Sequence, residues 1–213
     1  MRLKDIKPIN VQQYINDLTD KMSHKSIRNI MILLNGCMKQ AVAEGLILVN
    51  PCDKVSLPKI EKTDMVALNK LEKDIFLNYA KENPYYDIFV FALNTGMRIS
   101  EICGLTRNNV DLENGYIVVN QQLVRIKGEL FLDTPKTKQS IRKIPLNDIT
   151  TKILKKYMYG EYSKIDYVFY NPNNYNQLVQ NTLSINCRRV FDKCYEETHN
   201  EVFKKANFHS LRH

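Results

Sequence analysis

The sequence predicts a mainly α-helical protein with one small three-stranded antiparallel β-sheet, divided into two domains. Three observations carry that expectation. Apolar residues recur at helical spacing over most of the chain. Between residues 115 and 146 the period changes to short β-type runs. Around Pro58 a polar stretch with Lys54, Lys59 and Lys62 interrupts the pattern. The length of 213 residues, 44% of them apolar with seven Gly and seven Pro, is that of a core-forming chain of one large or two smaller domains.

The elements follow in order. Ile9, Val11, Tyr14, Ile15 and Leu18 predict a helix over 8–20. Ser23 is placed to N-cap a second helix over 24–44, whose apolar face is Ile27, Ile30, Met31, Leu34, Met38, Ala41 and Val42. Gly45 stands at its C-terminal end. Asn50-Pro51 and Pro58 then break the chain, so the boundaries expected are a first domain over 1–57, a linker over 58–66 and a second domain over 67–213. A segment of that first size buries little surface and is marginal alone. In the second domain Leu71, Ile75, Leu77 and Tyr79 predict a helix, and the strongly apolar Ile88, Val90, Phe91 and Leu93 predict a buried one. Asn94-Thr95-Gly96 punctuates, and a short helix runs to Leu105. The runs 116–119, 129–132 and 141–144 predict a three-stranded antiparallel meander with turns at Lys127-Gly128 and Pro135. Helices over 148–158 and about 175–198 complete the pattern.

Composition removes several function classes. No stretch approaches the ~18 uninterrupted apolar residues of a membrane span. The start Met1-Arg2-Leu3-Lys4-Asp5 lacks the apolar core of a signal peptide, so a cytoplasmic location is expected. The five Cys are scattered with no C-x-x-C pair, which argues against a disulfide framework or a zinc finger. There is no P-loop, dinucleotide-binding or zincin motif. A net charge of +8 suggests a polyanionic partner, though weakly by itself. The charge is locally concentrated: residues 134–146 hold Lys136, Lys138, Arg142 and Lys143 and no acid.

Three constellations could carry chemistry. In Thr95-Gly96-Met97-Arg98-Ile99-Ser100-Glu101, a glycine turn leads into a helix start, where an arginine fork suits phosphate oxygens and Glu101 could orient it. The same residues could form an ordinary surface ion pair. The basic hairpin could bring a lysine to a phosphate, or be a solvated turn. In His209-Ser210-Leu211-Arg212-His213, a helical backbone puts His209, Arg212 and His213 on one face, where a proton-handling His would sit beside an anion-binding Arg. A metal pair or a plain basic helix start are the alternatives there.

Together, in this order, T-G-M-R-I-S-E-I-C-G-L, T-P-K-T-K-Q-S-I-R-K-I-P-L and H-S-L-R-H resemble the tyrosine recombinases, the phage-integrase family. Lys25-Ser26-Ile27-Arg28 and Ala41-Val42-Ala43-Glu44-Gly45-Leu46-Ile47 leading to Asn50-Pro51 are similar to that family's core-binding domain. The likeness is strongest to integrases of conjugative transposons and temperate phages. It implies that residues 1–57 are part of a helical core-binding domain and that 67–213 are a DNA breaking–rejoining catalytic domain, truncated at its C-terminus.

By position the resemblance implies that Arg98 and Arg212 hold the scissile phosphate. Lys136 would be the general acid for the leaving 5′ hydroxyl, with Lys138 as the rival assignment. His209 would assist proton transfer and Glu101 would support the site. Lys25, Arg28, Lys138, Arg142 and Lys143 are the expected DNA contacts, and neither metal nor cofactor is implied. In the family a nucleophilic Tyr follows beyond the position of His213. None of the 12 Tyr here stands in a matching context; Tyr85, Tyr86, Tyr157, Tyr159 and Tyr195 fit core or surface roles.

The function expected is thus site-specific recombination or integration for a mobile element or phage, through a 3′-phosphotyrosine. The substrate is duplex DNA at attachment sites. The whole protein is expected to be tetrameric on DNA. This chain is expected to be monomeric and to bind DNA without cleaving it. A non-catalytic DNA-binding regulator is the alternative. The two differ in whether Arg98, Lys136, His209 and Arg212 meet at one anion.

Overall fold

The computed structural model describes residues 1–59, 66–134, 141–160 and 166–212. The chain forms two compact units, Met1–Asp64 and Met65–His213.

The first unit is built on two helices. Pro8 opens α1, Pro8–Thr19, where its missing N–H costs nothing. Ser23 caps α2, His24–Ala43, by accepting from the Ser26 N–H at 3.2 Å. Gly45, at φ 72°, ends α2 with Leu46 N–H donating to the Ala41 carbonyl at 2.9 Å. Parts of the predicted apolar sets meet: Val11 and Ile15 pack against Ile27, Met31 and Met38, with Cys52 closing the core, while Ile9 and Tyr14 are exposed. Asn50 is buried and fully used. Its amide donates to Asn35 and Asp53, and its oxygen accepts from the Cys52 N–H. The polar stretch that follows is tied back onto this unit. Ser56 exchanges hydrogen bonds with the Gln12 amide, and the Lys59 carbonyl lies 2.7 Å from His24 Nδ1.

The second unit begins with α3, Lys70–Ala80, closed by a capping box between Asn69 and Glu72. The buried α4, Tyr86–Thr95, follows, and Gly96 at φ 61° turns the chain into the short α5, Ile99–Cys103. Among the described residues five strands come next: β1 Val110–Asp111, β2 Tyr116–Val119, β3 Gln122–Ile126, β4 Glu129–Asp133 and β5 Arg142–Pro145. Helices α6, Asp148–Tyr159, α7, Gln180–Thr198, and α8, Glu201–Lys205, lead to a 3-10 turn over Phe208–Arg212.

A three-stranded antiparallel sheet is present, but its strands are not the three expected. Its order is β1-β2-β5, with Val119 opposite Arg142 and Tyr116 opposite Pro145. The run 129–132 belongs instead to a separate hairpin, paired with residues 122–126 across the Lys127-Gly128 turn. Both turn residues have positive φ, 50° and 92°, the geometry a two-residue hairpin turn demands. That tight local pairing takes β4 away from β2 and leaves β2 to β5. The helix expected from 175 starts at Gln180. Asn171, Asn174 and Asn176 precede it in a turn, where Asn173 and Asn176 N–H groups donate to Asn171 and Asn174 side chains. Asparagine offers the backbone these local bonds in competition with helix.

The core is aromatic. The Phe76 ring lies 4.6 Å from Phe191 and 5.6 Å from Phe89, joining α3, α7 and α4. Phe89 also meets Phe208, 6.3 Å between centroids, which pins the 3-10 turn to α4. Cys103, Cys187 and Cys194 are buried among these rings as small apolar groups, and burial pushes the Cys103 thiol up to about 12. No described helix is long and apolar enough to cross a membrane.

Candidate functional site

The site starts from the turn at Gly96. A left-handed residue is needed there, and a side chain on it would strain the backbone. Two residues later Arg98 precedes α5, its side chain half exposed. Three residues further Glu101 points inward and is 4% exposed. The pair is therefore not the ordinary surface ion pair that the motif alone allows.

Glu101 is the hub. Its Oε2 accepts from the Arg98 backbone N–H at 2.7 Å and from Arg142 Nη2 at 2.8 Å. Its Oε1 accepts from Arg98 Nη1 at 2.9 Å and Arg142 Nη1 at 3.0 Å. Burial would push this carboxyl up, but the hydrogen bonds from Arg142 and Arg98 outweigh it and hold it below the usual carboxylate range. Glu101 is thus a buried anion whose four donors come from two arginines.

Arg212 arrives from the other end of the chain. Its Nε donates to the Gly96 carbonyl at 2.8 Å, so the residue that turns the chain toward Arg98 also holds Arg212. Burial, followed by the charges of Arg98 and Arg142, holds the Arg212 guanidinium below its ordinary range, while Glu101 acts in the opposite sense. The three guanidiniums therefore feel one another. Among the described residues here, three guanidiniums against one carboxylate leave two positive charges. Helix α5 has only five residues, so the arginines, not a helix dipole, make it attractive to an anion.

Other candidates fall as follows. His209 is exposed and lies in the same 3-10 turn as Arg212, three residues before it, a spacing that eclipses side chains in such a turn. Its N–H donates to Asn207 Oδ1 at 2.8 Å. Lys136, Lys138 and His213 lie outside the described residues. Arg142, expected as a DNA contact, is engaged with Glu101. Lys143, one residue on and so on the opposite face of β5, is exposed with its ammonium 4.1 Å from the Tyr116 ring centre. Lys25 and Arg28 are exposed on the first turns of α2. Among the described residues no group of three His, Cys, Asp or Glu could hold a metal ion.

Sequence reasoning missed two participants. The Gly96 carbonyl leaves no trace in a side-chain pattern. Arg142 looked like one more cation in a basic run, and nothing in its neighbours announces a partner 41 residues away.

Comparison with known proteins places the chain in a family. The profile of the phage integrase family matches residues 60–213. The transposase from transposon Tn916 of Enterococcus faecalis is 25% identical over 230 residues, which covers 99% of this chain and 56% of that protein. The integrase of Staphylococcus phage L54a is 30% identical over 177 residues, covering 70% and 48%. The chain thus spans about half the length of these relatives. The Tn1549 transposon integrase, solved in complex with a circular intermediate DNA, superposes with a TM-score of 0.85 at 24% identity over 99% of this chain and 72% of that one. With its family profile covering most of the length and its fold shared with an integrase of a mobile element, the chain belongs to the phage integrase family, the tyrosine recombinases.

Proposed function

We propose that this chain forms the DNA-holding, phosphate-activating part of a site-specific recombinase of a mobile element or phage. The whole protein would cleave and rejoin duplex DNA at attachment sites through a 3′-phosphotyrosine. The observation that carries this reading is the convergence of Arg98, Arg142 and Arg212 around the buried Glu101.

A DNA phosphodiester carries one negative charge, and nucleophilic attack at phosphorus adds a second in the transition state. A cluster with two uncompensated positive charges suits the second state better than the first, which is what rate acceleration requires. Arg98 and Arg212 are the two arginines the family resemblance assigns to the scissile phosphate. Their guanidinium forks suit its non-bridging oxygens. His209, on the turn that carries Arg212, would move a proton to or from an oxygen of that phosphate. Protonation of the leaving 5′ hydroxyl falls to Lys136, with Lys138 as the other candidate. The first unit would serve as a core-binding domain with Lys25 and Arg28 on the DNA backbone.

This chain binds DNA without cleaving it. None of the 12 Tyr stands in the context of the family's nucleophile, and Tyr85 and Tyr157 are buried in the core. The relatives give further support, since the Tn1549 integrase was solved on DNA. A lambda integrase tetramer was solved on a Holliday junction, which favours a tetramer as the working state of the whole protein.

The test is DNA binding by the 213-residue chain and by its Arg98→Ala and Arg212→Ala variants. Each variant should bind duplex DNA about tenfold more weakly, the effect of one lost charge-assisted contact. No covalent protein–DNA product should form on a nicked substrate. Unchanged binding in both variants would sink the phosphate assignment, and a covalent product would overturn the statement that this chain does not cleave.

A further inference from the structure

We propose that Arg142 is a positioning residue of this site: its two-pronged grip on Glu101 keeps Arg98 turned toward an incoming anion. The inference rests on the phosphate-binding reading above and deepens it.

A carboxylate offers about four lone-pair directions. In Glu101 all four are filled: two by Arg142 Nη1 and Nη2, one by Arg98 Nη1 and one by the Arg98 backbone N–H. Arg98 therefore gives Glu101 a single guanidinium nitrogen, while Arg142 gives two. Glu101 is 4% exposed, so its acceptor directions are filled by donors from its own surroundings. If Arg142 were removed, two acceptor directions on a buried anion would stand open, and the Arg98 guanidinium is already bonded to it. A fork-to-fork pair between Arg98 and Glu101 would satisfy the carboxylate and consume the N–H groups that an anion needs.

Arg142 is suited to the task because it comes from another element. It stands on β5 opposite Val119, and its side chain is less exposed than that of Arg98. A strand backbone held in a sheet cannot follow α5 when Arg98 adjusts to a ligand. Arg142 thus saturates the carboxylate, and the more exposed Arg98 is left for chemistry. Lysine cannot substitute, because a point charge does not fill two acceptor directions at once.

The experiment reads the arginine guanidinium resonances by ¹H–¹⁵N NMR, with and without inorganic phosphate. In the wild-type chain, phosphate should shift the signals of Arg98 and Arg212. In Arg142→Gln and Arg142→Lys, the Arg98 signals should move already in the absence of phosphate. Phosphate affinity should fall about tenfold in both. A role confined to holding the fold together would lower stability without moving the Arg98 signals of the folded protein. Arg98 signals and phosphate affinity that match wild type in either variant overturn the proposal, and so does full rescue by lysine. If Arg142→Gln fails to fold, Arg142→Lys decides the question. If wild-type Arg98 and Arg212 ignore phosphate, the phosphate-binding reading fails, while the comparison without phosphate still decides whether Arg142 sets the orientation of Arg98.

Discussion

Glu101 shows how one buried side chain can organise several exposed ones. Its ionised form is held by four donors, so its folded pKa lies below the ordinary value of 4.5. A group depressed on folding contributes stability above its unfolded pKa and loses it as pH falls through the folded one. The second unit should therefore lose stability below about pH 4.5, and Glu101→Gln should remove that part of the pH dependence. At neutral pH the same variant leaves Arg98 and Arg142 facing each other without their shared anion. It should cost about 2–3 kcal/mol, less than for a fully dry pair because both arginines are partly exposed. Urea unfolding at a series of pH values checks both statements, and a Glu101→Gln variant as stable as wild type at pH 7 would contradict them. Gly96 acts at the same scale by backbone alone: its positive φ sets the turn and its carbonyl holds Arg212.

At the scale of elements, the site depends on how short pieces are anchored. Helix α8 and the 3-10 turn are too short to hold themselves in place. Phe203 and Phe208 anchor them from the apolar side. Arg188, on α7, anchors them from the polar side. Its Nη1 donates to the carbonyls of Lys204 at 3.0 Å and Ala206 at 2.9 Å, and its Nη2 to that of Phe203 at 3.0 Å. These are carbonyls that a helix end leaves without intrahelical partners. Arg188→Ala should destabilise the second unit by about 1–3 kcal/mol. It should also speed amide hydrogen exchange in residues 207–212, which carry His209 and Arg212. Unchanged exchange in that turn would show that the aromatic contacts suffice. Gly104 matters by contact instead. A Cβ there would stand 2.6 Å from the Leu123 backbone nitrogen, so only glycine lets α5 lie this close to β3.

For the molecule as a whole, a net charge of +8 implies that DNA binding should weaken steeply with salt. A salt titration should give a linear log–log fall, and Arg98→Ala should reduce the slope by about one. A slope unchanged by that substitution would place Arg98 away from the DNA backbone. The elements of the fold were largely legible in the sequence. Apolar spacing at Ile27, Met31 and Met38 or at Ile88 and Phe91 reports burial directly, and Ser23 and Gly45 mark helix ends by local chemistry. Strand partnership was not legible, because runs 116–119 and 129–132 alternate alike and only the tight Lys127-Gly128 turn decides which pair forms. Only taken together did the motifs around Arg98, Lys136 and Arg212 resemble the family, and it was the resemblance that implied a phosphate site. Only the tertiary structure decided that Arg142, 41 residues from Glu101, shares that carboxylate, and that Gly96 and Arg212, 116 residues apart, are hydrogen-bonded. Local patterns record what a residue needs from its own helix or strand; which distant charge answers a buried carboxylate is set by the packing of elements that sequence spacing does not encode.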